Sequence, residues 1–199
     1  MEMAGRIDCK GELGAVLIRG DGSRKDFGIL QPRKWHENTM GKLTVLFGAA
    51  LLGGVVYSAL TGDWSWLFLS GMSFGIVTTA GVNYMASDFA SGGASPTISG
   101  FKYHDSGVGT TAAAVGDTDI ETTDGESRVA GTPTNPAANQ YRSVATISYT
   151  TTKAITEWGL FSASSAGTLW DRRVFSAINV VNGDSIQFTY TLTVNNGGS

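Results

Sequence analysis

Residues 155–194 read ITEWGLFSASSAGTLWDRRVFSAINVVNGDSIQFTYTLTV, and their last nine positions alternate without a break. Ile186, Phe188, Tyr190, Leu192 and Val194 fall on one side of an extended chain; Gln187, Thr189, Thr191 and Thr193 fall on the other. Side chains of a strand point to alternate faces, so this is a half-buried β-strand. Asn182-Gly183-Asp184 before it tolerates the positive φ of a tight turn. The run 174–181 leads into that turn, which predicts an antiparallel hairpin. Upstream, 155–161 and 168–170 flank Ser162-Ala-Ser-Ser-Ala-Gly167, a small-residue turn, and predict a second hairpin. Two hairpins in sequence make a meander, whose apolar face needs a second layer.

The alternation recurs elsewhere. Tyr141, Ser143, Ala145, Ile147 and Tyr149 share one face of a strand, with Arg142, Val144, Thr146 and Ser148 opposite. Near the N-terminus, Leu13, Val16, Leu17 and Ile18 precede the turn Arg19-Gly-Asp-Gly22, and Phe27, Ile29 and Leu30 follow it, giving a first hairpin over 11–30. The fold class is therefore mainly β: an antiparallel β-sandwich-like module with an N-terminal β-hairpin. Ile147, Tyr149, Ile155, Leu160, Phe175, Ile178, Ile186, Phe188, Tyr190 and Leu192 are its predicted core.

Between hairpin and module lies a different chemistry. Residues 43–60 carry no charge, nor do residues 64–87, and Asp63 separates the two runs. Each run approaches the roughly 18–20 residues a helix needs to cross a hydrocarbon core. Small residues recur at helix-packing intervals: Ala49 with Gly53, Ala50 with Gly54, and Gly71 with Gly75. Trp64 and Trp66 stand where an interfacial aromatic belt would, with Arg33, Lys34 and Lys42 at the other end. Against insertion, the many glycines weaken an isolated helix by about 1 kcal/mol each relative to Ala. An apolar helical hairpin inserted here is either a membrane anchor, through residues 43–82, or an assembly interface between subunits. The organisation expected is 1–32 as hairpin, 33–77 as apolar insert, 78–95 as short helix and linker, and 96–199 as the β module. Val82, Met85, Ala86 and Phe89 set the apolar face of the short helix.

Composition narrows the function. Charged residues are 16% of the chain and the net charge is −3, which leaves no basic surface for a nucleic-acid backbone. The single cysteine, Cys9, excludes an internal disulfide and a cysteine-based metal site. Residues 1–24 carry charges throughout, so no secretory signal is expected.

Several loop motifs resemble chemistry and are weighed against plainer readings. Arg19-Gly20-Asp21 spells an adhesive tripeptide inside an ordinary hairpin turn. Gly107-Val-Gly109 approximates a dinucleotide fingerprint without a surrounding βαβ unit. Asp105, Asp117, Asp119, Asp124 and Glu126 form an acidic group without EF-hand spacing. His104 beside Asp105 is half a triad with no nucleophile elbow, and His36 is remote. Asp171-Arg172-Arg173 faces Glu157 across a hairpin as a surface ion pair. Trp158, Trp170, Tyr141 and Tyr190 either stack on sugars or fill the core. No catalytic site, cofactor or metal is predicted, and an enzyme is not expected.

A set of longer motifs carries a resemblance. YHDSGVGTT from Tyr103, DTDIET from Asp117, ESRVAGT from Glu126, YRSVATI from Tyr141, ITEWGLF from Ile155, LWDR from Leu169 and NGDSIQFTY from Asn182 resemble tailed-bacteriophage virion proteins. That family comprises tail-fibre-like, head-fibre and capsid-decoration proteins. The resemblance covers about residues 78–198, with fragments of 11–28, and the insert 39–75 departs from it. It implies a virion structural protein made in the host cytoplasm. Its expected partners are further copies of itself, a trimer by analogy, and major capsid or other virion proteins.

Overall fold

The computed structural model describes residues 7–30, 76–91 and 98–196. Two five-stranded antiparallel sheets face each other. The first has the order β2-β1-β10-β7-β6, from Arg24–Ile29, Ile7–Ile18, Ser185–Asn196, Gln140–Ser148 and Thr132–Thr134. The second has the order β3-β9-β8-β4-β5, from Ile76–Val77, Leu169–Val180, Lys153–Phe161, Tyr103–Gly107 and Val129–Ala130. The helix α1 (Thr79–Ser91) packs on β9, and a 3-10 turn occupies Ile98–Gly100. The fold is the expected β-sandwich-like module, with the β1–β2 hairpin built into its first sheet.

The core fills the space between the sheets. Every predicted core residue is buried: Ile147 from β7 and Tyr149 just after it, Ile155 and Leu160 from β8, Phe175 and Ile178 from β9, and Ile186, Phe188, Tyr190 and Leu192 from β10. Leu13, Ala15 and Leu17 of β1 join them. Trp158 lies at the centre, stacked on Tyr190 at 5.3 Å between ring centres and tilted against Phe188 at 6.4 Å. Burying one such large side chain is worth about 1.5–3 kcal/mol, so this aromatic group dominates the interior.

Strand pairing corrects the meander. β8 and β9 do form a hairpin, from Phe161↔Leu169 to Lys153↔Val180, closed by Ala166 and Gly167 at positive φ. β9 and β10 do not pair. β10 lies in the other sheet, between β1 (Leu13↔Tyr190) and β7 (Ile147↔Ile186). Residues 181–184 are thus a crossover between layers rather than a hairpin turn. They bond to the neighbouring crossover: Gly183 N donates to Tyr149 O at 3.0 Å, and Tyr149 N to Asp184 O at 2.8 Å. Alternation states that one face of β10 is buried; it does not name the strand beside it.

The helix face is also corrected. Val82 is 47% exposed and Ala86 is exposed, whereas Gly81 is buried and Tyr84 and Met85 pack on the core. Thr78 caps the helix, its Oγ1 accepting from Gly81 N at 3.0 Å and donating to Leu169 O at 2.5 Å. Gly81 then passes so close to Trp170 that a Cβ would stand 2.9 Å from its ring. This close approach rotates the inward face to Gly81, Tyr84 and Met85, and Tyr84 meets Phe101 edge-on at 4.7 Å. The predicted insert positions Ala49, Ala50, Gly53, Gly54, Trp64, Trp66, Gly71 and Gly75 lie outside the described residues.

Candidate functional site

The polar stretch that composition marks as loop is laid on the outer face of β8 and β9 and stapled there. Its centre is Glu157, which is fully buried. Its Oε1 accepts from the backbone N–H of Gly109 at 2.9 Å and of Thr122 at 2.8 Å. Its Oε2 accepts from Glu121 N at 2.9 Å and from Arg172 Nε and Nη2 at 3.0 and 2.8 Å. Arg172, 3% exposed, also donates to Asp117 Oδ2 at 2.8 Å and Thr111 O at 3.2 Å. The Glu157–Arg172 pair exists as expected across the β8–β9 hairpin, but it is interior rather than superficial, because residues 108–122 cover it.

Gly107 and Gly109 make that covering possible. A Cβ on Gly109 would sit 2.3 Å from Glu157 Oε1, and one on Gly107 would sit 2.4 Å from Thr122 O. The glycines therefore serve a close backbone approach to a carboxylate, not to a pyrophosphate. Glu121 extends the staple outward: it accepts from Thr110 N, Thr111 N and the Thr111 hydroxyl, which together hold its carboxyl below the usual range.

A second staple is Arg128. Its guanidinium lies 3.3 Å from the Phe161 ring centre, donates to Asp105 at 2.9 Å and Asp119 at 3.1 Å, and reaches Ala166 O at 2.5 Å. A third joins Ser106, whose hydroxyl donates to Asp124 Oδ2 at 2.5 Å and contacts the Tyr149 hydroxyl at 3.0 Å. Lys153 bonds Asp124 O and Glu126, and Glu126 also accepts from Thr150. Burial pushes the Asp105 and Asp124 carboxyls up, partly offset by Arg128 and by Ser106 respectively. The acidic group of the sequence is thus taken up by protein partners: Asp117 by Arg172, Asp105 and Asp119 by Arg128, Asp124 by Ser106, and Glu126 by Lys153 and Thr150. Among the described residues no group of three or more His, Cys, Asp or Glu is placed to hold a metal ion.

His104 is fully buried and meets a serine, yet the pair is wired the wrong way for catalysis. Nδ1 accepts from Trp158 Nε1 at 3.2 Å, and an indole nitrogen only donates. The neutral ring must then carry its proton on Nε2, which donates to Ser143 Oγ at 2.8 Å. Such a histidine cannot take the serine's proton. Burial pushes its pKa down to about 3, which keeps the ring neutral.

The adhesive tripeptide is similarly occupied. Arg19 donates to Asp184 Oδ2 at 2.6 Å, Gly20 N to its Oδ1 at 3.1 Å, and Asp21 caps its own turn through Ser23 N. Of the four aromatics considered for sugar stacking, Trp158, Trp170 and Tyr190 are 0–2% exposed. Tyr141 and Trp170 line a cavity of about 530 Å³ with Phe101, Leu160 and Leu192. On its wall the Tyr141 hydroxyl donates to Phe101 O, Trp170 Nε1 to Tyr190 Oη, and Asn135 Nδ2 to Gln140 O.

Among the described residues no helix is long and apolar enough to cross a membrane. What the sequence misses is the burial of Glu157, Arg172 and Arg128. The only local signal is the glycine pair 107 and 109, which reads equally as a turn. Compared with protein-family models, with characterised proteins and with solved structures, the chain matches none of them.

Proposed function

We propose that this chain is a non-enzymatic structural protein of a tailed-bacteriophage virion, a capsid-decoration protein or a head or tail appendage. It acts by packing against further copies of itself and against major capsid or other virion proteins. The supporting observation is how the polar groups are used: Glu157, Arg172, Arg128 and His104 are all buried or nearly so and committed to internal partners. These groups fasten the loops to the sandwich, which suits a structural module. The motif resemblance from Tyr103 to Tyr190 supplies the virion context. The uncharged run 43–60 and the uncharged residues 64–75, apolar in sequence, would be the anchor in a multi-subunit interface.

The test is fractionation of the full chain beside a variant lacking residues 39–75, with the mass of each soluble species measured. A discrete soluble oligomer, a trimer by analogy, that the deletion breaks apart supports the proposal. A full chain that partitions into membranes while the deletion variant stays a soluble oligomer overturns it in favour of a membrane-anchored protein displaying a β domain.

A further inference from the structure

The crossover between β9 and β10 carries a reactive pair, Asn182-Gly183. An asparagine followed by glycine can cyclise. The glycine nitrogen gives up its proton and bonds to the asparagine Cγ, and the side-chain nitrogen leaves as ammonia. Water then opens the five-membered imide at either carbonyl, leaving aspartate or isoaspartate in place of the amide. Glycine favours the closure because no Cβ hinders its nitrogen and its backbone is the least restricted. Both residues are exposed, so water and base reach them.

A bond from another part of the chain closes this route. The attacking nitrogen, Gly183 N, donates to Tyr149 O at 3.0 Å, and Tyr149 N donates back to Asp184 O at 2.8 Å. Asp184 N closes the turn on Val181 O at 3.0 Å, with Gly183 at a φ of 89°. The buried Asp184 carboxylate accepts from Val181 N at 2.9 Å, Gly20 N at 3.1 Å and Arg19 at 2.6 Å. An N–H held by a carbonyl is protected until the structure around it opens, and its nitrogen is not free to swing onto Cγ. Gly22 and Gly125, which follow Asp21 and Asp124, differ: their nitrogens donate to Arg19 O and Thr123 Oγ1 inside their own turns. At Gly183 the acceptor lies between β7 and β8, so the protection exists only while two crossovers stay packed together.

We propose that Asn182 is a deamidation site gated by this end of the sandwich: it is unreactive while the crossovers are paired and converts when they part. Conversion is one-way. Isoaspartate adds a methylene to the backbone path before Gly183 N, which carries that N–H away from Tyr149 O and breaks the reciprocal pair. Aspartate sets a second carboxylate two residues from Asp184. Either product marks a copy whose sheets have separated at this seam.

The experiment incubates the full chain in mildly alkaline buffer, folded and in guanidinium chloride. Residue 182 is followed by mass spectrometry of the tryptic peptide 174–199, with fragmentation separating it from Asn196-Gly197 in the same peptide. Conversion about tenfold or more slower in the folded chain is expected, and a smaller difference overturns the proposal. Asp184→Ala removes the acceptor of Val181 N, Gly20 N and Arg19, and should speed conversion in the folded chain about fivefold or more. A smaller rise overturns the role given to the crossovers. If tryptophan fluorescence shows that this variant does not fold, hydrogen exchange at Gly183 in the wild-type chain decides, since both reactions draw on the same N–H. A protection factor within about tenfold of the slowing of conversion supports the gate, and a wider mismatch overturns it.

Discussion

Glu157→Gln isolates the staple that holds residues 108–122 on the sheet. The substitution keeps the side chain's size and removes only its charge and half its acceptors. Oε1 accepts two backbone N–H groups, and Oε2 accepts a third plus two guanidinium N–H groups. An amide must turn its NH2 against one of these sets, so at least two donors lose their acceptor and face another donor. Arg172, 3% exposed, retains only Asp117 at 2.8 Å and Glu121 at 3.7 Å as carboxylate neighbours. Breaking a buried pair from one side costs about 3–5 kcal/mol, which is a large share of the roughly 5–15 kcal/mol that stabilises a typical domain. Urea unfolding followed by tryptophan fluorescence measures the loss, since Trp158 and Trp170 sit in the core. Hydrogen exchange locates it: the amides of Gly109, Glu121 and Thr122 should lose protection while those of β10 keep theirs. A loss under about 1 kcal/mol, or unchanged exchange at those three amides, would refute the view that this carboxylate organises the loop.

Gly81→Ala ordinarily favours a helix by about 1 kcal/mol, but here the added methyl meets the Trp170 ring at 2.9 Å and its backbone at 3.2 Å. A net destabilisation of about 1–3 kcal/mol is expected in denaturant titration, against the sign of helix propensity. Thr78→Ala removes the helix cap and its bond to Leu169, with an expected cost of about 1–2 kcal/mol in the same assay. His104 should show the nitrogen NMR shifts of a neutral, Nε2-protonated ring down to about pH 4, given a pKa pushed to about 3 by burial. Its folded value is depressed below the unfolded one, so the stability it contributes is complete above the unfolded value and drains as pH falls toward the folded one. Asp184→Ala removes the acceptor shared by Arg19, Gly20 N and Val181 N, and should lower the melting temperature and speed exchange at Gly20 and Val181.

The sequence by itself determined that residues 186–194 and 141–148 are strands with one buried face, that 155–170 turns back on itself, and that ten named residues belong to the core. These are properties of one strand or one turn, written in a period of two and in turn residues, and no partner is needed to state them. Tertiary structure alone decided the rest. Alternation is satisfied by any neighbour, so only the packed sandwich places β10 between β1 and β7 rather than beside β9. A polar residue opposite an apolar one reads as solvent-facing, so Glu157 and Arg172 read as a surface pair until residues 108–122 are laid over them. In α1 the small residue Gly81, not the larger Val82, faces inward, because the available space is set by Trp170 on another strand. In each case the deciding contact joins residues far apart in the chain, and no local pattern carries it.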